Sequence, residues 1–534
     1  MSKNISNSKR QCPGDGYEIS ISICKGRQRV HYPKCPVCHY RTEAVNASST
    51  SVEEATVKAN LETGNTRKVV QLSPNQDKAI NLKIFKSYDI RGEYPEQLNE
   101  HTSEKIGIAT VQFLKGIKAD VKNIVVARDI RLSSESLARS LMKGIIKSGV
   151  NVIDIGEVST DTTYFAVGHY NYDAGIMVTA SHNPSEYNGF KLCHEKAMPI
   201  SFDTGLSTIS ELARQTRFPA SEQYGKIIEK DILNDYKKYI LNFAKNIRPL
   251  KIVIDAGNGM AGKMIPIVFN GLPCKIVPLF FRPDGTFPNH EPNPLESKNL
   301  RDLQNKVRKT RSNFGVAFDG DADRVFLVDE KAQLVSGSVT TALVAKKVLQ
   351  GEPGATIVYN LICSQIVPET ITQMGGRPVR TRVGHSYIKK IMAEEQAAFG
   401  GEHSGHYYFR DNFRADSGLI AALIVLEELS STSKPLSLLT EPFNAYITSG
   451  EINVEVEESS KVIQEVSKKY LEYEQDNLDG LTVQLEKCWF NLRPSNTEPL
   501  LRLNLEAEDT TTYEKTLQEV QELIELNRKS KEIR

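Results

Sequence analysis

The sequence predicts an α/β protein with three similar mixed α/β domains, a smaller α+β C-terminal domain and a Cys-rich N-terminal extension. The chain has 534 residues, enough for three or four domains of about 150 residues each. Between residues 83 and 446, short β-rich runs alternate with helical patterns, an order typical of mostly parallel sheets covered by helices. From residue 447 onward the alternation changes, which favours a smaller fold of another type.

The composition is that of a globular protein with almost no net charge. Lys and Arg number 67, Asp and Glu 66, and 40% of the residues are hydrophobic. A net charge of +1 attracts neither nucleic acid nor an anionic membrane. No run approaches the roughly 18 apolar residues of a membrane helix, and the N-terminus lacks the apolar core of a signal peptide. We expect a soluble cytoplasmic protein without nucleic-acid or membrane partners; the sequence does not specify its oligomeric state.

The cysteines form two groups. We expect reduced, buried thiols at the scattered positions Cys193, Cys274, Cys363 and Cys488. The other four lie in the extension, residues 1–82: Cys12, Cys24, Cys35 and Cys38. Cys35 and Cys38 form a CxxC pair, the tight half of many zinc sites, whereas Cys12 and Cys24 are spaced too widely for the usual second half. The extension therefore either holds a structural Zn²⁺ or carries free thiols, and its residues 41–75 have the polar composition of a linker.

Four domains are expected after the extension. In the first, the run NIVVA (123–127) precedes a helical stripe of Leu137, Leu141 and Ile145, and the strands VNVIDIG and AGIMVTA follow. The same rhythm recurs at KIVIDAG, FGVAFDG and ATIVYNL. The predicted domain ranges are 83–230, 231–334, 335–446 and 447–534.

Two motifs of the second domain match ligand-binding patterns only in part. GNGMAG (257–262) fits the dinucleotide fingerprint GxGxxG, but the acidic residue at the expected distance, Asp284, lies in a loop. We interpret this motif as a tight strand-to-helix turn. DGDADRVFLVDE (319–330) spaces its carboxylates like an EF-hand, but Arg324 stands where the loop needs Gly, and strands flank the segment.

The acidic segment nevertheless brings three carboxylates together. Asp319, Asp321 and Asp323 occupy every second position of a strand-end loop. Carboxylates so close repel one another unless a cation lies among them, and oxygen ligands suit Mg²⁺. We expect a magnesium site, with a solvated acidic loop as the alternative.

A turn-rich segment offers a hydroxyl for group transfer. The run AGIMVTA leads into SHNP and places Ser181 on a loop at a strand's end, where open α/β sheets have their active sites. Ser181 is a candidate nucleophile or phosphate carrier, with His182 beside it to orient it or shuttle a proton. Lys191 is a candidate acid, base or phosphate ligand. Taken alone, SHN is more often a plain turn.

Three later segments add polar ligands. FGGEHSGHYYF supplies Glu402, His403, Ser404 and His406, donors and acceptors that suit a polyhydroxylated ligand. RVGHSYIKK adds His385 and Lys389. A phosphate clamp of side chains and backbone N–H groups is predicted in NLRPSNTEP, at Arg493, Ser495, Asn496 and Thr497.

Taken together, these motifs resemble those of the α-D-phosphohexomutase family, and most closely its bacterial phosphomannomutase/phosphoglucomutase branch. The resemblance extends from about residue 83 to the C-terminus, through FKSYDIRG, TASHNPSEYNGFK, DAGNGMAG, DGDADR, VGHSYIK, GGEHSGHYYF and RPSNTEP. It implies four domains around one deep cleft. It also implies interconversion of hexose 6-phosphate and hexose 1-phosphate, of mannose or glucose, through a phosphoserine and a hexose 1,6-bisphosphate intermediate.

The resemblance also implies a role for each matching residue. Ser181 would be the phosphoserine, and Asp319, Asp321 and Asp323 would hold Mg²⁺ together with a phosphate oxygen on Ser181. Further catalytic positions would be Lys191, His385 and Arg91, the first two as proton-transfer or substrate groups. Substrate would be bound by Tyr88, Arg324, Glu402, Ser404, Arg493, Ser495, Asn496 and Thr497.

One departure and two alternatives accompany the resemblance. The family usually carries Asp-x-Lys where this chain has Asn360 and Ile362, so one expected substrate contact is missing. A degenerate mutase fold that only binds, with a zinc-ribbon-like arm for a partner, is the main alternative. A phosphatase is the other, but it would give no reason for Ser181.

Overall fold

The computed structural model describes residues 80–215, 221–495 and 500–528, together with short strands at 9–11, 18–20, 69–71 and 217–219. Within the extension, β1 (Lys9–Gln11) pairs with β2 (Glu18–Ser20), and β3 (Val69–Gln71) pairs with the strand at 217–219. The predicted site residues that lie outside the described part are Cys12, Cys24, Cys35, Cys38, Asn496 and Thr497. The zinc site therefore stays a prediction.

The first domain is built on a mixed seven-stranded sheet in the order β11-β6-β5-β7-β8-β4, with β9 beside β8. Its strands are β4 (Ile90–Glu93), β5 (Asn123–Arg128), β6 (Asn151–Glu157), β7 (Ala174–Val178), β8 (Tyr187–His194), β9 (Met198–Pro199) and β11 (Ile227–Glu229), while β10 (Arg217–Pro219) pairs with β3. Its helices are α1 (Glu100–Ile117), α2 (Ser134–Lys147), α3 (Thr160–His169) and α4 (Leu206–Ala213).

The second and third domains carry smaller sheets. The second contains α5 (Leu233–Ile240), β12 (Lys251–Asp255), α6 (Ala261–Phe269), β13 (Lys275–Leu279), α7 (Arg301–Thr310), β14 (Phe314–Phe318), β15 (Val325–Val328) and β16 (Leu334–Val335). The third contains α8 (Gly337–Gly351), β17 (Thr356–Asn360), α9 (Ile366–Gln373), β18 (Arg377–Thr381), α10 (His385–Glu394), β19 (Phe399–Gly401), β20 (Tyr407–Phe409), α11 (Gly418–Ser430) and α12 (Leu436–Thr440).

These three domains share one strand order. Each has three parallel strands followed by an antiparallel fourth: β6-β5-β7-β8, β13-β12-β14-β15 and β18-β17-β19-β20. The predicted similarity of the three α/β domains is thereby confirmed. The sheets are mixed because a short loop, not a helical crossover, joins the third strand of each repeat to the fourth.

The C-terminal domain is a different fold, as the changed alternation predicted. Its five-stranded sheet is antiparallel throughout, in the order β21-β25-β24-β23-β22. The elements are β21 (Ile447–Glu455), α13 (Ser459–Lys469), β22 (Glu474–Asp476), β23 (Leu481–Gln484), β24 (Cys488–Pro494), β25 (Leu500–Ala507) and α14 (Thr510–Arg528). Of the predicted phosphate clamp, Arg493 lies on β24 and Ser495 directly follows this strand.

Helix α2 illustrates how apolar spacing sets the packing. Leu137, Leu141 and Ile145 are fully buried against the first sheet's core, as their spacing predicted. Ser133, which directly precedes the helix, makes no capping bond with its side chain and instead accepts a hydrogen bond from Asn188 Nδ2 at 2.8 Å. No helix in the described part of the chain has both the length and the apolar run that a membrane crossing needs.

One buried carboxylate joins three helical elements of the chain. Asp161, near the start of α3, accepts hydrogen bonds from Ser159, Tyr236 and Ser417, which lie before α3, on α5 and before α11. Burial raises the pKa of Asp161 from 3.8 to about 6, although the hydroxyl donors act to lower it. The charged form of this carboxyl is therefore disfavoured in the folded protein.

We predict that Asp161→Asn stabilises the protein near neutral pH but not near pH 4. A raised folded pKa means that the folded state binds the proton more tightly, so stability falls as pH rises from about 4 to about 6. The loss amounts to about 3 kcal/mol at most. The difference in melting temperature between variant and wild type should therefore grow across this window and then stay constant. A difference in melting temperature that does not change with pH would contradict the raised pKa of Asp161.

Candidate active site

The predicted catalytic loops occupy the same place in each repeated domain. Ser181 lies between β7 and β8, the aspartates 319–323 between β14 and β15, and residues 402–406 between β19 and β20. Each loop follows the third strand of its repeat, so all three lie at carboxyl ends of parallel strands. They meet in a cleft of about 590 Å³ lined by residues of all four domains, a volume typical of small-ligand sites.

Ser181 is held in an unusual backbone conformation. Its φ is +51°, in the left-handed region that a β-carbon makes costly. The side chain is buried, and Oγ donates to Asp319 Oδ2 at 2.8 Å and lies 3.3 Å from His182 Nδ1. Burial, together with the Arg324 and Arg91 guanidinium groups, holds the pKa of His182 well below its ordinary value. The imidazole beside Ser181 is therefore neutral.

A buried guanidinium keeps the Ser181 loop in this shape. Arg131 donates to the backbone carbonyls of Ser181, Asn183, Pro184 and Tyr187. Arg131 also pairs with Asp129 at 3.2 Å, and Asp129 accepts from the hydroxyl of Thr179 at 2.7 Å. The Thr179 hydroxyl in turn accepts from Ser181 N at 2.9 Å. This network offsets the strain of the loop.

Three carboxylates lie near Ser181, on the loop between β14 and β15. Asp319, Asp321 and Asp323 are fully buried, and one oxygen of each lies within 4.8 Å of the others. Oδ1 of Asp321 and Oδ1 of Asp323 are buried without a hydrogen-bond partner. Burial, and then the Asp323 and Asp321 charges, raise the pKa of Asp319 well above its ordinary value. Unpaired carboxylate oxygens facing one another fit Mg²⁺, which prefers such ligands.

Lys191 lies against the same carboxylates. Its ammonium donates to Asp321 Oδ2 at 2.8 Å and also contacts Asp323. Burial alone would lower the pKa of Lys191, but these two carboxylates outweigh it and raise the pKa. Thr160, the first residue of α3, donates to the same Asp321 oxygen at 2.5 Å. Lys191 is therefore a fixed positive charge in this structure.

The GNGMAG segment packs against the acidic loop. Met260 N donates to Gly320 O at 2.9 Å, and the segment leads directly into α6. A β-carbon at Gly259 would lie 2.6 Å from Gly320 O, so this position requires glycine. The structure thus gives the motif a packing role in holding the acidic loop.

Tyr88, Arg91 and His385 line the cleft where the first domain meets the third. Tyr88 Oη donates to Val383 O at 2.8 Å, and its ring lies edge-on to His385 at 5.5 Å. Arg91 donates to Asn183 Oδ1 at 2.5 Å. Burial and the Lys389 ammonium lower the pKa of His385 to about 4, and its Nδ1 is buried without a partner. His385 is thus a neutral imidazole with a free nitrogen.

Glu402 lines the cleft and also accepts hydrogen bonds from several neighbouring groups. Its Oε1 accepts from Gly384 N and Asn360 Nδ2, both at 3.1 Å, and its Oε2 accepts from Tyr408 Oη at 2.8 Å. Its pKa lies below the ordinary value because hydrogen bonds from His406 and Tyr408 outweigh the effect of burial. Glu402 is therefore a carboxylate with little freedom to move.

Ser404, on the same loop, and Arg324, at the end of the acidic loop, also line the cleft. Both contact one imidazole: Ser404 Oγ lies 3.1 Å from His406 Nδ1, and Arg324 Nε donates to His406 Nε2 at 3.1 Å. His406, which was only a general polar candidate in the sequence, therefore joins the second and third domains. The isolated bridge between Arg324 and His406 adds a backbone connection at this point.

In the fourth domain, two guanidinium groups share one carboxylate. Arg493 donates to Glu451 Oε2 at 2.6 Å, and Arg502 lies 3.1 Å from Glu451 Oε1. Arg502 also donates to Ser495 Oγ at 3.4 Å. All four residues line the cleft. The predicted clamp thus contains a second arginine, Arg502, which the sequence motif alone did not single out because it lies on the following strand.

The comparisons with known proteins agree with this arrangement. Family models described as the alpha/beta/alpha domains I, II and III and the C-terminal domain of phosphoglucomutase/phosphomannomutase match residues 82–220, 233–333, 336–446 and 451–523. The chain belongs to the phosphoglucomutase/phosphomannomutase family. The family resemblance and the four-domain fold class predicted from the sequence are both confirmed, while the Cys-rich extension stays a prediction.

Individual relatives cover the same part of the chain. A phosphomannomutase of Escherichia coli is 41% identical over 443 residues, which are 80% of this chain and 96% of the relative. A phosphoglucomutase/phosphomannomutase family protein of Burkholderia thailandensis has a similar structure, with a TM-score of 0.78, 33% identity, and coverage of 84% and 98%. An N-acetylphosphoglucosamine mutase of Aspergillus fumigatus, solved with glucose 1,6-bisphosphate, shares the fold at a TM-score of 0.52, 13% identity, and coverage of 85% and 96%.

Proposed function

We propose that this phosphoglucomutase/phosphomannomutase family protein is a phosphohexomutase that interconverts the 6-phosphates and 1-phosphates of mannose and glucose. The observation that carries the proposal is the buried Ser181 hydroxyl, held 2.8 Å from the aspartate triplet, in the same cleft as the paired guanidinium groups of Arg493 and Arg502. A phosphosugar needs both features, a phosphoryl carrier at one phosphate and an anion site for the other.

In the proposed reaction, phosphorylated Ser181 donates its phosphoryl group to the free hydroxyl of a hexose monophosphate. The bond between phosphorus and Ser181 Oγ breaks while a bond from phosphorus to the sugar oxygen forms, and the sugar hydroxyl loses its proton. The resulting hexose 1,6-bisphosphate exchanges its ends in the cleft, and Ser181 takes the other phosphoryl group. The Aspergillus enzyme's complex with glucose 1,6-bisphosphate supports an intermediate of this kind.

The residues around Ser181 have separate roles in this proposal. Asp319, Asp321 and Asp323 would hold Mg²⁺, which supplies positive charge to the phosphoryl oxygens when bound. Lys191, a fixed ammonium, adds to that charge without exchanging its proton. Because His385 is neutral and lines the cleft, it suits proton transfer at the sugar hydroxyl.

The remaining predicted residues bind the substrate. Tyr88 and Arg91 form the wall of the cleft on the side of the first domain, while Arg324, Glu402 and Ser404 face the sugar. The phosphate that does not react is bound by Arg493, Arg502 and Ser495, with Asn496 and Thr497 proposed on the same loop. Planar guanidinium groups suit this role because they bind phosphate oxygens in pairs.

A substrate panel tests the function. The purified protein, Mg²⁺ and a trace of hexose 1,6-bisphosphate are incubated with mannose 1-, glucose 1- or glucosamine 1-phosphate and followed by ³¹P NMR. We expect conversion of the first two to 6-phosphates. Release of inorganic phosphate as the main product would indicate a phosphatase, and absence of turnover with every sugar would favour the binding-protein alternative.

We also propose that the extension serves structure and not chemistry, with Cys12, Cys24, Cys35 and Cys38 holding a Zn²⁺. Four thiolates leave no open position for a substrate. A chain that begins at residue 78, without β3, should therefore keep a near-normal kcat and lose about one equivalent of zinc, as measured by atomic emission. Loss of most activity would assign the extension to the cleft or to an oligomer contact.

We place the enzyme in the cytoplasm, which agrees with the free thiols of the described cysteines.

A further inference from the structure

The departure at Asn360 and Ile362 changes the contacts of a neighbouring histidine, His403, in the same domain. Ile362 is buried and offers no polar group, so it does not replace the usual lysine. Asn360 is fully buried at the end of β17, where its amide lies 3.1 Å from both Glu402 Oε1 and His403 Nδ1. His403 lies between two predicted sugar ligands, Glu402 and Ser404, and lines the cleft. The proposed function gives it no role so far.

The partners of Asn360 determine how its amide is oriented. Glu402 is ionised and can only accept hydrogen bonds, so the NH₂ group of Asn360 must face it. The carbonyl oxygen of the amide then faces Cys363, whose Sγ donates to Asn360 Oδ1 at 3.1 Å. The orientation of the Asn360 amide is thus set by Glu402, which can only accept, and by the thiol of Cys363, which donates.

The oriented amide in turn determines the tautomer of His403. One N–H of Asn360 points to Glu402, and the other points to His403 Nδ1, which must therefore accept. A neutral imidazole that accepts at Nδ1 carries its proton on Nε2. Within residues 80–215, 221–495 and 500–528, the structure shows no hydrogen-bond partner for Nε2 of His403.

The charges around His403 are consistent with a neutral ring. Burial lowers its pKa to about 4, and the Arg493 charge adds to this effect, although the carboxylates of Glu451 and Glu402 oppose it. Arg493 and Glu451 belong to the fourth domain, so the imidazole lies on the side of the cleft where the phosphate clamp meets the sugar loop. Two guanidinium groups, those of Arg493 and Arg502, already provide a binding site for an anion on this side of the cleft. The neutral Nε2–H of His403 therefore suits an uncharged acceptor.

We propose that His403 is a specificity-determining residue whose Nε2–H donates a hydrogen bond to a hydroxyl of the bound hexose, and that Asn360 positions it by fixing the tautomer. The inference rests on the proposed phosphohexomutase function. It adds a donor to the two acceptor-rich side chains of the loop, Glu402 and Ser404. It also explains why an amide suits position 360, since a carboxylate there would face Glu402 and could not donate to the imidazole.

A cycle of variants and deoxy sugars tests the proposal. Wild type, His403→Phe and His403→Gln are assayed with glucose 1-phosphate and with its 2-, 3- and 4-deoxy analogues. For wild type, one deoxy sugar should show a KM about tenfold higher than the parent sugar. His403→Phe should raise the KM of the parent about tenfold and no longer distinguish it from that deoxy sugar. His403→Gln, which keeps a donor, should restore the distinction.

The tautomer gives a readout that does not depend on turnover. With ¹⁵N-labelled histidine and His403→Gln for assignment, the imidazole of His403 should show protonated Nε2 and unprotonated Nδ1 at pH 7.5. Asn360→Asp, which cannot donate, should abolish this state.

The outcomes separate the two proposals. If wild type is inactive with every hexose phosphate, the proposed function fails, whatever the tautomer. If wild type is active but His403→Phe discriminates the deoxy sugars as wild type does, or if Nδ1 carries the proton, the proposal for His403 is overturned and the mutase function stands.

Discussion

Ser181→Ala is expected to abolish mutase turnover, with kcat reduced at least about 1,000-fold. Ser181 is the proposed sole carrier of the phosphoryl group, and alanine has no oxygen to form the bond. The fold should be unaffected, because the Ser181 backbone carbonyl and N–H, and not its side chain, make the bonds to Arg131 and Thr179. Turnover under the conditions of the substrate panel and circular dichroism measure the two effects.

Ser185→Ala is the matched control for this prediction. Ser185 lies on the same loop, but its hydroxyl contacts only the exposed carboxylate of Glu186, at 3.3 Å. After incubation with hexose 1,6-bisphosphate, wild type and Ser185→Ala should each gain the mass of one phosphate, and Ser181→Ala should gain none. A phosphorylated Ser181→Ala protein, or one with wild-type activity, would place the carrier on another side chain.

The sequence predicted the catalytic loops because their residues are contiguous. Ser181 with His182, and Asp319 with Asp321 and Asp323, each lie within one strand-end segment, so their type and spacing are visible without the fold. The equal position of these loops in three repeats is a property of strand order. This equivalence is visible only in the structure, where β8, β15 and β20 run antiparallel beside the third strand of each repeat.

Residues that act across domains could not be predicted in the same way. Arg131 serves the Ser181 loop from a distant segment, and nothing in its local sequence points to that loop. Arg502 joins Arg493 only because β24 and β25 pair, with these two residues in register. Asn360 was noticed as a departure from a family pattern, but its hydrogen bond to His403 depends on two strands, β17 and β19, that lie side by side.

Local sequence patterns do not determine where every helix ends. Helix α13 stops at Lys469, and strand β22 starts at Glu474. Tyr470, just after the helix, is buried against Phe490 at 5.1 Å between ring centres. This contact belongs to the domain core, which helical spacing alone does not describe.

Asp321→Asn is expected to lower kcat by about 100-fold or more and to raise the Mg²⁺ concentration needed for activity. Asp321 Oδ1 has no hydrogen-bond partner in the described structure, which leaves it for the ion, while Oδ2 accepts from Lys191 and Thr160. The amide keeps the shape of the side chain but removes one of three negative charges. Titrating Mg²⁺ against turnover measures the change in requirement.

The same substitution should have the opposite effect on stability when no Mg²⁺ is present. Three buried carboxylates lie beside two cations, Lys191 and Arg324, and burial together with the Asp323 and Asp321 charges raises the pKa of Asp319 well above its ordinary value. Part of the negative charge of the triplet is therefore uncompensated until the ion binds. Asp321→Asn removes that charge and should raise the melting temperature in EDTA above that of wild type. Added Mg²⁺ should then stabilise wild type by several degrees and the variant by much less, because the ion binds the folded state of wild type more tightly. Equal responses to Mg²⁺ would show that the aspartate triplet is not the metal site, whatever the effect on turnover.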